Sequence, residues 1–141
     1  MAADARAVPA LAALLDDPYF WVRYPAEQSL IQIGEPSVQP LLEIVGQSRF
    51  PASAHAMEAL GRIKPAPEVQ ARISGALEAQ LANPDWALRG VAAETLGETG
   101  NPLFVEVLAR LKASETHPFV RGKIDWAISR ILNPPKPEEK K

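Results

Sequence analysis

Apolar residues recur at one fixed spacing in four stretches of the chain. Each stretch holds four of them, one threonine included, at successive steps of four, four and three positions. They are Val22, Ala26, Leu30 and Ile33; Ala52, Ala56, Leu60 and Ile63; Leu88, Ala92, Leu96 and Thr99; and Val120, Ile124, Ile128 and Ile131. This spacing gathers each set on one stripe of an α-helix, which no β-strand does. The pattern predicts four helices, each with one buried side.

A less regular apolar stretch precedes each of these helices, as in Val8, Leu11 and Leu15. Pairs such as Asp17-Pro18 are typical of helix starts, and a glycine such as Gly34 is typical of helix ends. The sequence therefore predicts helices near 4–16, 19–33, 37–46, 51–63, 67–82, 85–99, 103–113 and 117–132.

The predicted helices form pairs that repeat along the chain. The matching positions Arg23, Ser53, Arg89 and Arg121 follow one another at intervals of 30, 36 and 32 residues. Such self-similarity is typical of solenoids, in which each repeat packs only on its neighbours. We predict an all-α fold, an α-solenoid of about four helical hairpins. It spans residues 1–132, with repeats near 4–35, 36–65, 66–101 and 102–132, and a disordered, proline-rich tail at 133–141.

Charge and composition exclude several classes of partner. The formal net charge is -2 and the isoelectric point is near 5.7, so no overall positive field attracts nucleic acid or an anionic membrane. Cysteine is absent, which excludes disulfides and cysteine-ligated metals. The start of the chain lacks the pattern of an export signal, and no apolar run is long enough to span a membrane. We expect a cytoplasmic protein that binds neither nucleic acid nor membrane.

The segment from Asp17 to Gly34 follows the pattern Asp-Pro-x-x-x-Val-Arg-x-x-Ala-x-x-x-Leu-x-x-Ile-Gly. It resembles the HEAT-like repeat first recognised in phycobilin lyase subunits. The resemblance implies an α-solenoid whose second helices line a concave face. It also implies that Arg23, Arg89 and Arg121 are scaffold residues that bridge loop acids and carbonyls. Ser53 replaces the arginine in repeat two, so a row of such contacts should be interrupted there.

Catalytic residues are not evident from the sequence. His55 and His117 are two repeats apart, and neither has the histidine partner one turn away that a zinc-binding helix needs. We expect surface or capping roles for both. Phosphate-binding glycine loops and a nucleophile motif are also missing. We therefore expect no enzyme activity, no cofactor and no metal.

The predicted concave face combines acids with aromatic residues once the buried stripe is set aside. We predict that a partner binds there, at Tyr24, Glu27, Gln28, Glu58, Glu94, Asp125 and Trp126. Such a face suits a protein or peptide, in particular a basic helix or extended peptide. The competing interpretation is that these glutamates only solvate an exposed face. The preferred function is a noncatalytic scaffold or adaptor.

The sequence leaves two alternative functions open. The chain is alternatively a subunit or fragment of a bilin lyase or isomerase assembly. A third hypothesis, suggested by Asp125-Trp126, is a HEAT-like DNA glycosylase, which the acidic charge disfavours.

Five aromatic residues lie at the starts of the second helices, where we expect packing between repeats. They are Phe20, Trp21, Phe50, Trp86 and Phe119.

Overall fold

The computed structural model describes residues 4–137, and within this range the chain forms eight α-helices. They are α1 (Val8–Ala13), α2 (Phe20–Ile33), α3 (Val38–Gly46), α4 (Ala52–Arg62), α5 (Pro67–Gln80), α6 (Trp86–Thr99), α7 (Phe104–Ser114) and α8 (Pro118–Leu132). The predicted all-α solenoid of helical hairpins is confirmed. The predicted first helix is shorter, because single 3-10 turns at Ala5–Ala7 and Leu14–Asp16 flank α1. Pro18 prevents a longer α-helix there.

Side chains and glycines define where the second helices begin and end. Asp85 caps α6 by accepting from the amide of Ala87 at 2.8 Å. His117 caps α8 in the same way through Nδ1, which confirms its predicted capping role. At the other end of α6, Gly100 has a φ of +70°, a left-handed conformation that favours glycine.

The helices form two layers with the core between them. The second helices α2, α4, α6 and α8 pack successively in one layer, and α1, α3 and α5 follow one another in the other. Most of the predicted apolar stripe is buried, with Leu30, Leu60, Leu96 and Ile124 fully inaccessible. The stripe residues that remain half-buried are Val22, Ile33, Thr99 and Ile128.

A close approach between the backbones of α6 and α8 depends on a missing side chain. A Cβ atom added at Gly97 of α6 would lie 2.6 Å from Cα of Ala127 in α8. Any larger residue at Gly97 therefore requires the two helices to separate. This contact fixes the last two repeats against each other.

The repeated arginines hold the loops between helices, as predicted. Arg23 and Arg121 each donate through Nη1 to the carbonyl oxygen six positions earlier, at 2.8 Å. Arg89 makes the same contact to Asn83 at 2.9 Å. In repeat two, Ser53 instead donates its hydroxyl to the carbonyl of Ile44 at 2.7 Å. The predicted interruption of the arginine row at Ser53 is confirmed.

The described part of the C-terminal tail adds little to the fold. Residues 134–137 of the predicted disordered tail form no helix and are exposed. Residues 138–141, which complete that tail, and residues 1–3 of the predicted repeat domain lie outside the described residues. Among residues 4–137, no helix is both long and apolar enough to cross a membrane.

Candidate functional site

Large aromatic side chains are exposed at the starts of the second helices. Their exposed fractions are 56% for Phe20, 69% for Trp21, 58% for Phe50, 45% for Trp86 and 43% for Phe119. The predicted packing between repeats is confirmed for Trp86, which stacks on His117 of the next repeat at 4.2 Å and meets the edge of Phe119. The large exposed fractions show, however, that these aromatic residues are not core. Helix geometry explains the exposure of Phe20, which begins α2 and lies four residues before Tyr24 of the predicted concave face. Phe20 therefore extends that face by one turn.

Four of these residues surround a cleft of about 390 Å³ that we call the aromatic cleft. Its aromatic walls are Phe20, Phe50, Trp86 and Phe119. The rings of Trp86 and Phe119 meet edge to face, with centroids 5.3 Å apart. Glu58 is the one carboxylate lining this cleft. The aromatic cleft is therefore an apolar recess with a single acid in its lining.

A second cleft of about 230 Å³ adjoins it and contains most of the acids, so we call it the acidic cleft. The two clefts share Phe20, His55, Glu58 and Val91. The acidic cleft is also lined by Tyr24, Glu27, Arg62, Glu94, Thr95 and Glu98. Four of the predicted binding residues, Tyr24, Glu27, Glu58 and Glu94, thus lie together.

A buried hydrogen-bond network lies beneath both clefts. His55 is 8% exposed, and its Nδ1 lies 3.2 Å from Oε1 of Glu27. Arg23 donates its Nε–H to Nε2 of His55 at 3.2 Å. Since an arginine only donates, Nε2 must accept, and this network assigns the imidazole proton to Nδ1, where it is donated to Glu27. The expected surface or capping role of His55 is therefore wrong.

Glu27 is also a correction, because it is 1% exposed rather than available on the surface. Its carboxylate accepts from His55 and from the Gln28 amide at 3.3 Å. Desolvation by burial, together with the hydrogen bond and charge of Glu27, raises the pKa of the neighbouring Glu58 to about 8. Burial and the neighbouring Glu27 thus both favour the protonated form of Glu58.

Glu27, His55 and Glu58 offer three potential metal ligands within 4.8 Å of one another. A histidine bound to a metal through one ring nitrogen usually donates a hydrogen bond through the other. In His55 the other nitrogen faces the N–H of Arg23, so the nitrogen that faces the carboxylates has to hold the proton. The donor set therefore does not suit a metal while Arg23 makes this contact.

The remaining predicted binding residues lie around the clefts with neighbours of their own. Gln28 is half-buried and donates to Glu27. Glu94 pairs with Lys123 at 2.6 Å, and Asp125 pairs with Lys112 of α7. Trp126 is 43% exposed and lines a third cleft together with Glu94. Lys123 and Lys112 thus neutralise part of the predicted acidic face.

Two larger clefts of about 560 and 550 Å³ are less suited to a charged partner. The first is lined by Arg89 and Glu115, which bond to each other at 2.7 Å. The second is lined by Arg49 and Asp16, which pair at 2.8 Å. These arginines therefore already have internal partners, whereas the aromatic cleft has exposed rings beside Glu58.

Comparison with known proteins agrees with the repeated helical hairpins. A search of curated proteins found no match to this chain. The family model for HEAT repeats matches residues 38–129, which includes α3 to α7 and nearly all of α8. Because this match covers more than half of the chain, the protein belongs to the HEAT-repeat family.

Proposed function

We propose that this protein is a noncatalytic scaffold or adaptor that binds a partner protein at the aromatic and acidic clefts. The main support is the row of four exposed aromatic side chains beside carboxylates on one face. Soluble proteins rarely expose contiguous apolar patches without a binding role, and buried aromatic anchors dominate the energetics of interfaces.

The absence of catalysis is part of the proposal, and the engagement of His55 supports it. Both ring nitrogens of His55 have partners within the protein, Glu27 and Arg23. A general base needs a nitrogen free to reach the proton of a substrate. The raised pKa of Glu58 is explained by burial and by the neighbouring Glu27, because close carboxyl groups raise each other's pKa whether or not they take part in catalysis.

The test is capture of a partner by the whole chain, followed by comparison of variants. Phe50→Ala and Trp86→Ala each remove one wall of the aromatic cleft. Each should weaken binding by about 2 kcal/mol, as is usual for an aromatic anchor. Trp21→Ala is the matched control, because Trp21 is 69% exposed and stacks on Tyr19, with ring centroids 4.7 Å apart. It should bind as the wild type does.

Thermal midpoints of the same variants separate lost binding from lost folding. The proposal is supported if Phe50→Ala releases the partner while its midpoint stays close to that of the wild type. It is overturned if both cleft variants keep full binding, or if Trp21→Ala loses as much binding as they do.

Membership of the phycobilin lyase type of HEAT-like repeat is the finer part of the proposal, supported by the Asp17 to Gly34 pattern. Mixing the protein with a bilin and recording its absorbance tests the lyase-subunit alternative. A shift that depends on Trp86 would favour that alternative over the scaffold. The glycosylase hypothesis has less support, because the net charge of -2 and the carboxylate of Glu98 in the acidic cleft disfavour the phosphates of DNA.

A further inference from the structure

We propose that the aromatic cleft receives an arginine side chain of the partner, stacked between Trp86 and Phe50 with its guanidinium facing Glu58. This inference rests on the proposed function and specifies the chemistry that the partner presents. The occupant is a basic peptide segment.

The shape and lining of the cleft favour a planar cation. Phe50 is 58% exposed, and Trp86 remains 45% exposed although one face of its ring stacks on His117 at 4.2 Å. Phe50 and the uncovered part of Trp86 are therefore free to cover an incoming side chain. A guanidinium stacks on aromatic faces and donates from a planar fork that matches a carboxylate. An ammonium group lacks both the plane and the fork. The combination of exposed rings with one carboxylate therefore suits arginine better than lysine.

The charges around the cleft complement a cation. Glu58 lines the cleft, and Glu98 lies next to it in the adjoining acidic cleft. Lys123 pairs with Glu94 there, and among the described residues Arg62 is the one cation that lines the acidic cleft. Arg23 also lines the aromatic cleft, but its guanidinium donates to His55 and to the carbonyl of Asp17. These bonds hold Arg23 in the network beneath the cleft, so Glu58 remains for the partner.

A cation already lies over an aromatic ring at both ends of the row formed by Phe20, Phe50, Trp86 and Phe119. Nζ of Lys123 lies 5.4 Å from the ring centroid of Phe119 and 2.6 Å from Oε2 of Glu94. At the other end, Cζ of Arg23 lies 5.9 Å from the centroid of Phe20. Among residues 4–137, no lysine or arginine covers the rings of Phe50 or Trp86. The middle of the row thus has the aromatic rings and the carboxylate without a cation.

The protonation of Glu58 is compatible with this occupant. Its pKa is raised because burial and Glu27 disfavour its charge. A guanidinium beside the carboxyl favours the charged form and lowers that pKa again. The arriving arginine then replaces the proton as the partner of the carboxyl pair.

The test uses three acetylated and amidated pentapeptides with a central arginine, lysine or glutamate between glycine and serine residues. Binding to the full chain is followed by NMR through the indole N–H signals of Trp86, Trp21 and Trp126. Trp86→Phe assigns the signal of Trp86. The arginine peptide should shift that signal in a saturable way, and the Trp21 signal should stay in place.

Two variants test the role of the carboxylate. Glu58→Gln keeps the shape and the hydrogen bond to Glu27, so the fold should survive. It should weaken the affinity for the arginine peptide about tenfold, the usual effect of losing a charge-assisted hydrogen bond. Glu98→Gln is the matched control, because Glu98 lines only the acidic cleft, and binding should stay within about twofold. The lysine peptide should bind at least about threefold more weakly than the arginine peptide.

Three outcomes overturn the inference. They are no saturable shift of Trp86, equal binding to the wild type and Glu58→Gln, and equal binding of the lysine or glutamate peptide. The proposed function fails differently, when a captured partner binds equally well to Phe50→Ala and Trp86→Ala. If a captured partner needs Trp86 for binding but the arginine peptide does not bind, the scaffold function is retained and the arginine inference is rejected.

Discussion

Arg23 of the first repeat donates its Nε–H to Nε2 of His55 in the second repeat, across 3.2 Å. The third and fourth repeats use the same arginine atom differently, since Arg89 donates its Nε–H to the carboxylate of Glu115 at 2.7 Å. One junction is therefore held by an ion pair and the other by a bond to an imidazole. The two junctions should respond differently to loss of the arginine.

Arg89→Ala should cost more stability than Arg23→Ala. Glu115 has a 5% exposed side chain, so removing Arg89 leaves a buried charge without its ion-pair partner, at a cost of about 3 kcal/mol. Removing Arg23 leaves an imidazole nitrogen without a donor, at about 1 kcal/mol. Urea denaturation of both variants measures the difference. Equal losses would contradict the distinction between the two junctions.

The Glu58 carboxyl should make the protein less stable as pH rises. Its pKa is raised to about 8 in the fold from 4.5, so the folded chain holds a proton that the unfolded chain has lost. The free energy of unfolding must then fall as pH rises between these two values. The effect should be about 1 kcal/mol, because solvent screens this half-exposed carboxyl.

Glu58→Gln should remove this part of the pH dependence. Glutamine cannot ionise, and its amide still donates to Glu27 as the protonated carboxyl does. The difference in unfolding free energy between variant and wild type should grow in favour of the variant from pH 5 to pH 8.5, limits that lie about half a unit above the unfolded and the folded pKa. Glu98→Gln is the control. Parallel stability curves for Glu58→Gln and wild type would show that Glu58 is ionised throughout.

The sequence predicted the helices well because their spacing is a local property. Leu30 and Leu60 are buried as expected, since a helix fixes which side each residue occupies. The position of Phe50 was misjudged because an aromatic residue at a helix start suits both a gap between repeats and an open cleft. Helical spacing could not decide between them, because Phe50 lies two residues before α4 begins at Ala52.

The buried network of Arg23, Glu27 and His55 could not be predicted from the sequence, for a different reason. His55 meets Arg23 and Glu27 from another repeat, 32 and 28 residues earlier in the chain. Such contacts depend on how far α4 is displaced along α2, and local periodicity does not encode that displacement. At the corresponding junction, Arg89 meets Glu115 after 26 residues, so no constant interval identifies the partner.

Two glycines in helices should respond oppositely to alanine. At Gly97 an added Cβ would lie 2.6 Å from Cα of Ala127, so Gly97→Ala should cost about 1–3 kcal/mol as α6 and α8 separate. At Gly75 in α5 nothing lies within 4 Å, and alanine should stabilise the exposed helix by about 0.5–1 kcal/mol. Thermal or urea unfolding checks both. Stabilisation by Gly97→Ala would mean that the two helices are not in close contact.

Zinc should bind only after Arg23 is removed. In the wild type, the Nε–H of Arg23 occupies Nε2 of His55, so the proton stays on Nδ1 and no lone pair faces Glu27 and Glu58. In Arg23→Ala the proton can move to Nε2, and Nδ1 then joins the two carboxylates, whose ligand atoms lie within 4.8 Å. A nitrogen and two oxygens, completed by water, are suitable zinc ligands. Calorimetry with zinc should therefore show binding to Arg23→Ala, little to the wild type, and none to a variant that also has His55→Ala. Tight binding to the wild type would show that the Arg23 bond gives way to a metal, and that Glu27, His55 and Glu58 form a metal site in the native protein.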